Sequence, residues 1–186
     1  MRTRDFTINA DIALMRYTSI IRPYRIALLV IVLLTGCEKG DSKSVPQEPE
    51  FQAEGLLAFH KPGGEQIVRI AIELAESAQE QETGLMNRRS LPALGGMLFV
   101  SDVSRERSFW MKNTPLPLDI IFVRSDSTIA NIVKRTTPLS RDYIKSDGIV
   151  QNVLEVRAGF TDKYGIDTTT TISWQRREEL ENAKSE

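Results

Sequence analysis

Hydrophobic and polar positions alternate with a period of two along much of the chain, the spacing of a strand with one buried face. In Ile67–Ala75, Val68, Ile70, Ile72 and Leu74 take one side and Arg69, Ala71 and Glu73 the other. Leu118–Val123 departs from this. Leu118, Ile120 and Phe122 share one face, and Asp119, Ile121 and Val123 share the second. Both faces are apolar, so this strand is expected to be covered on both sides. Met97–Val100 is a short continuous apolar run and reads as another buried strand. Ile129–Val133 follows a Ser125-Asp126-Ser127 turn and is predicted to return as the hairpin partner of 118–123. Phe109–Met111 is expected to lead into that central pair, and Val150–Arg157 and Thr169–Trp174 add further strands. Ser77 and Glu80 have the spacing of a capping box, which predicts a helix over 78–86 with Leu85 and Met86 packed under the sheet. A helical turn through Tyr164 stops at Gly165. The pattern predicts a mainly β fold with a short helix: a compact β-sandwich or barrel-like single domain over 55–175, followed by a charged tail, 176–186.

Two acids interrupt the apolar strands. An unpaired buried carboxylate is costly, so Asp119 requires donors. Lys112, Asn113 and Thr114 lie just upstream, across a turn marked by Pro115 and Pro117, and Arg88 at the end of the helix is a candidate partner for a buried acid. Glu155 repeats the problem on the face it shares with Gln151, Val153 and Arg157. Both acids read first as structural and second as catalytic. Trp110 reads first as core packing; beside Lys112 it also has the makings of a platform for sugars or anionic groups. The polar stretch 136–148, with Pro138 and Tyr143, is a loop of the kind that borders binding surfaces.

Composition and charge narrow the chemistry. The single His60 stands beside Lys61-Pro62-Gly63-Gly64 and reads as a loop residue. The single Cys leaves neither an internal disulfide nor a cysteine-based zinc site. No phosphate loop, nucleophile elbow or metal-ligand cluster is present in the sequence, so no cofactor and no metal site is assigned. A carboxylate-bound Ca²⁺ or Mg²⁺ is the remaining metal chemistry. Residues 1–36 hold five Arg and two Asp, a balance of +3, so the whole-chain charge of −1 leaves −4 for the rest. That part has no basic excess for phosphates, and nucleic acid is not an expected partner.

The N-terminus reads as an address. Arg22 and Arg25 precede nine apolar residues, Ile26–Leu34, too few for the roughly 20 of a membrane-spanning helix but suited to a secretory signal. Leu34-Thr35-Gly36-Cys37 then resembles the lipobox of bacterial lipoproteins. The resemblance implies that residues 1–36 are a signal peptide, with cleavage before Cys37 and acylation of that cysteine by fatty acids such as palmitate. Met15 is an alternative start, because a signal beginning at Met1 has a long first region. Residues 37–54 are tether-like in composition. The expected partner is therefore a lipid membrane, with the domain outside the cytoplasm, periplasmic or at the cell surface.

Several clusters lie in one order along the domain: Gly84-Leu85-Met86 with Arg88, Gly96-Met97-Leu98-Phe99, Phe109-Trp110-Met111-Lys112-Asn113-Thr114, Leu118-Asp119-Ile120-Ile121-Phe122, and Val153-Leu154-Glu155 with Gly159. In these the chain resembles the family called domain of unknown function 192, over about 66–174. The resemblance implies a compact β domain with a short helix. It places Arg88, Lys112, Asn113, Thr114, Asp119 and Glu155 among recurring polar positions. It supplies no reaction. Members close with a Gly-Asp turn before the last strand. Here Ile166-Asp167-Thr168-Thr169-Thr170 stands in that place, and a wider turn is expected.

Two functions of different class follow. The first is an envelope lipoprotein whose β domain is a binding or structural module, with a small-molecule or envelope-polymer ligand. The second is an enzyme in which Asp119 and Glu155 act as a carboxylate pair, a hydrolase on envelope polymers. Such pairs stand roughly 5 to 9 Å apart in glycoside hydrolysis. If both carboxyls face one cleft with Lys112, the site reading gains; if each is bonded within the core, the structural reading gains.

Overall fold

The computed structural model describes residues 48–183. The expected signal peptide, Cys37 and the first part of the tether lie outside the described residues. Nine strands and three short helices follow in order: β1 (Gly55–His60), β2 (Gln66–Ala75), α1 (Ala78–Thr83), β3 (Gly95–Phe99), β4 (Ser108–Phe109), β5 (Leu118–Val123), β6 (Ile129–Val133), β7 (Ile144–Lys145), β8 (Asn152–Arg157), α2 (Phe160–Tyr164), β9 (Thr171–Arg176) and α3 (Arg177–Asn182). Seven strands form one sheet in the order β6-β5-β8-β3-β2-β1-β9, antiparallel except for the β2–β3 pair. The sheet curls toward closure: Thr128, in the β5–β6 turn, bridges to Thr171 at the start of β9, and the Ile172 amide donates to the Ser127 carbonyl at 3.0 Å. The fold is mainly β with short helices, a half-barrel rather than a sandwich.

The two-sided apolar strand emerges as expected. Every residue of β5 is buried. Ile121 and Val123 join Leu154, Val156, Ile72 and Phe59 in one cluster, into which Phe160 of α2 inserts. Leu118, Ile120 and Phe122 join Val153, Met97 and Phe99 in the other, covered by Leu85, Leu91 and Met111. Each such side chain contributes about 1.5–3 kcal/mol by leaving water.

The helix of the capping box is realised over 78–83, with the Ser77 hydroxyl accepting from the Glu80 amide and the Glu80 carboxylate accepting from the Ser77 amide. It ends three residues earlier than the pattern predicts, because Gly84 turns the chain at φ 44°. A Cβ there would sit 3.0 Å from Phe99 Cζ, so the position is closed to larger residues in two ways. Gly96, in mid-strand, has the second such constraint: its missing Cβ would lie 2.9 Å from the backbone oxygen of Glu155 on β8.

Four expectations are corrected. Ser108–Phe109 does not enter the central sheet; it pairs with Ile144–Lys145 as a separate two-stranded ladder. Residues 55–60, not assigned above, form β1 between β2 and β9, and His60 ends that strand with Nε2 2.9 Å from Ser173 Oγ. The last part of the expected tether is docked: the Gln52 amide donates to Glu73, Glu54 accepts from the Leu74 amide, and Phe51 packs on the second cluster. The turn before β9 is tight, because Asp167 Oδ1 accepts from both the Thr169 amide and hydroxyl while the Thr170 amide donates to the Asp167 carbonyl. The charged tail forms α3 over 177–182.

Candidate functional site

The register of β5 against β8 decides what the two acids do. Asp119 stands opposite Val156, and Ile120 stands opposite Glu155. Since neighbours in register share a face, Asp119 points into the first cluster and Glu155 points to the other side of the sheet. The two carboxyls therefore do not face one cleft, and the expected Asp119/Glu155 pair does not form.

Asp119 is a structural acid. It is fully buried. Its Oδ1 accepts from the Arg135 amide at 2.9 Å and the Gly159 amide at 3.1 Å; Oδ2 accepts from the Thr161 amide at 3.0 Å and the Thr161 hydroxyl at 2.7 Å. One side chain thus ties the end of β6, the turn after β8 and the first turn of α2 to the middle of the sheet. None of the cations expected beside it is a partner. Arg88 does partner a buried acid, but that acid is Glu73 on β2, at 2.9 Å. Glu73 was read above as one of the residues on the polar side of its strand. The signal for its burial was an acid in a strand flanked by a docked segment, and the alternation pattern alone does not carry it.

The FWMKNT segment is divided by its turn. Met111 is buried in the core, Asn113 adopts φ 57°, and the Thr114 amide closes the turn on the Met111 carbonyl at 3.0 Å. The Asn113 carbonyl accepts from the Asn87 amide at 2.7 Å, fixing this turn to the segment after α1. Thr114 is buried and its hydroxyl donates to the Lys112 carbonyl. Lys112 reaches over the Trp110 ring, 4.9 Å from its centroid. Trp110 is not core: it is 36% exposed and stacks on Tyr143 with rings 9° from parallel.

Glu155 is a nearly buried acid without a hydrogen-bond partner among the described residues. It is 5% exposed, lies between Met97 and Ile120 in the adjoining strands, and no described residue hydrogen-bonds its carboxyl group. Desolvation pushes its pKa up to about 8, so the group is a neutral acid at pH 7. It forms the floor of a pocket of about 470 Å³, within the size range of small-molecule sites. Leu85, Met86, Phe99 and Phe109 supply apolar wall, and Arg105, Arg107 and the Trp110–Tyr143 stack border it. Tyr143 comes from the polar loop expected to flank a binding surface. Arg107 Nε is buried without an acceptor, although its Nη2 donates to the Val103 carbonyl. Burial and then the neighbouring Arg105 lower its pKa. Of the residues singled out from sequence, the pocket gathers Trp110, Thr114 and Glu155; Asp119 is on the far face of the sheet, and Arg88 lines a second, more open pocket with Glu73. Arg107 was not foreseen, because a charged residue in a polar loop looks like solvated surface. Among the described residues, no group of His, Cys, Asp and Glu has the arrangement of a metal site.

This pocket draws residues from four of the sequence clusters that run in order along the domain: Gly84-Leu85-Met86, Phe99, Phe109-Trp110 with Thr114, and Glu155. The family profile of DUF192, described as an uncharacterised conserved family, matches residues 58–174, and the chain belongs to that family. Among solved structures, a protein from Sinorhizobium meliloti 1021, provisionally described as a transcription regulator, superposes with a TM-score of 0.63 at 33% identity. That match covers 68% of this chain and 98% of the other. A protein of unknown function from Novosphingobium aromaticivorans superposes with a TM-score of 0.60 at 32% identity, covering 64% of this chain and 84% of the other. No curated protein matches the chain.

Proposed function

We propose that this protein is a lipid-anchored binding module of the cell envelope, in which the pocket over Glu155 receives a small ligand. The observation that carries the binding half is the unpartnered, almost fully buried carboxyl at the pocket floor. A buried polar group left without a partner costs about 1–3 kcal/mol, and a ligand that reaches it removes that cost. The hydrolase reading loses its second carboxylate to the opposite face of the sheet, and it is not retained. The regulator description of the Sinorhizobium relative is not carried over, because nothing in the −4 balance after residue 36 favours DNA phosphates.

The anchoring half rests on Leu34-Thr35-Gly36-Cys37 behind an apolar run of signal-peptide length. Each buried acyl methylene contributes about 0.8 kcal/mol, and durable attachment takes more than one chain, which a multiply acylated Cys37 provides. Two experiments test the two halves. Cys37→Ala abolishes incorporation of radiolabelled palmitate; unchanged labelling would refute the anchor. Native mass spectrometry of the full chain, extracted from its own membranes in detergent, shows a small-molecule adduct that is lost in Ser108→Trp, which sets an indole in the pocket. An adduct that persists in that variant, or none in the unmodified chain, refutes the pocket.

A further inference from the structure

We infer that the Glu155 pocket selects a small organic monocarboxylate with an apolar body, its carboxylate lodged between the Arg107 guanidinium and the Glu155 carboxyl group. This rests on the reading of the pocket as a ligand site and adds the class of ligand.

A cation with a buried unpaired N–H and a nearly buried acid without a hydrogen bond line one pocket. Arg107 Nε–H is a buried cationic donor with no acceptor, and Glu155 is a buried carboxyl with no partner. A carboxylate has two acceptor oxygens, so one ligand group in this pocket can offer one oxygen to the Arg107 guanidinium and the other to the Glu155 O–H. The bond from the neutral Glu155 O–H is charge-assisted only when the ligand acceptor is ionised, and is then roughly twice as strong as one to an alcohol or amide; at Arg107 the ligand's negative charge adds attraction to a donor that is already cationic. The rest of the ligand meets Leu85, Met86, Phe99 and Phe109, which call for hydrocarbon.

The charges facing the site are consistent with this orientation. Glu82 from α1, Glu106 and Arg105 from the loop, and Tyr143 also line the pocket. Glu82 and Glu106 are exposed, so a ligand carboxylate is least opposed at the buried end. Glu73, beyond Met97 in the same row of the sheet, pairs with Arg88 through Oε1, and its Oε2 is buried without a hydrogen bond. Below about 8 Glu155 holds its proton and donates. Above that value it is an anion facing the ligand's anion, and binding is lost. Affinity therefore falls as pH rises.

Isothermal titration of the full chain in detergent micelles with benzoate, benzamide and benzyl alcohol tests the inference. Measurements are made roughly 1.5 units below and above the Glu155 value of about 8. Benzoate binds at the lower pH and weakens by about tenfold or more at the higher; benzamide is weaker than benzoate by about tenfold and does not respond to pH. Arg107→Met weakens benzoate by about tenfold or more. Glu155→Gln, whose amide still donates, keeps benzoate binding and removes its pH dependence. Equal binding of benzoate and benzamide, or benzoate binding that ignores pH in the unmodified chain, overturns the inference. Binding of benzamide or benzyl alcohol alone, blocked by Ser108→Trp, overturns the ligand class and leaves the pocket reading intact. Binding of none of the three overturns both.

Discussion

Asp119→Asn is the perturbation whose cost can be worked most closely from the geometry. All four groups around the carboxylate are donors: the amides of Arg135, Gly159 and Thr161, and the Thr161 hydroxyl. Asparagine offers one acceptor oxygen and an NH₂ group. With its oxygen in place of Oδ1, the Arg135 and Gly159 amides keep their bonds without the help of a full charge. The NH₂ then meets Thr161, whose hydroxyl can rotate to accept but whose amide cannot. At least one buried backbone donor is left unpaired, at about 1–3 kcal/mol, and a bond to a charged group worth about 1.5–3 kcal/mol is lost. The sum is roughly 2.5–6 kcal/mol, a large share of the ~5–15 kcal/mol that holds a domain together. Urea unfolding followed by circular dichroism measures it directly, with an unchanged slope showing that the unfolded state is not the cause. A variant within about 0.5 kcal/mol of the parent, the range of an ordinary surface substitution, refutes the structural role assigned to Asp119.

Three further outcomes follow from the same packing. Arg88→Met strands Glu73 beneath the docked 48–54 segment and destabilises by about 3–5 kcal/mol in urea unfolding, whereas Glu73→Leu together with Arg88→Met recovers most of that loss, since a buried pair is worth little against apolar packing. Gly96→Ala drives a Cβ to within 2.9 Å of the Glu155 carbonyl, where paired backbones cannot yield, and lowers stability by about 1–3 kcal/mol; no loss of denaturation midpoint would contradict the packing of β3 on β8. Because the Glu155 pKa rises from 4.5 unfolded to about 8 folded, the folded state binds the extra proton between those values. Its contribution to stability is complete below about 4.5 and is lost as pH rises through about 8. The unfolding free energy from urea titrations across that window falls accordingly, by an amount on the order of a few kcal/mol, and Glu155→Gln flattens the slope.

The strands were legible because alternation follows directly from pleated geometry. Leu118–Val123 and Ile129–Val133 have the limits that the pattern predicts. The short-range capping signal at Ser77 and Glu80 was equally direct. What alternation within one strand does not encode is how its faces line up with those of a neighbour. Asp119 and Glu155 each looked like an acid in apolar company, and each is, but a register of Asp119 opposite Val156 sends them to opposite sides of the sheet. Partners supplied by backbone were invisible for a related reason. The sequence drew attention to Lys112 and Arg88 because they carry charge, while three of the four donors to Asp119 are backbone amides of Arg135, Gly159 and Thr161, which any residue other than proline would supply. Trp110 was misplaced because a Trp between Phe109 and Met111 looks like core, yet alternation turns it outward while its two neighbours pack in.

The nature of the pocket floor is tested most directly by a carbon-13 NMR pH titration of the Glu155 side-chain carboxyl in the full chain. A midpoint near 8, with the carboxyl neutral at pH 7, is the predicted result; a midpoint at the ordinary 4.5 would show a solvated or partnered carboxylate and contradict the site as described.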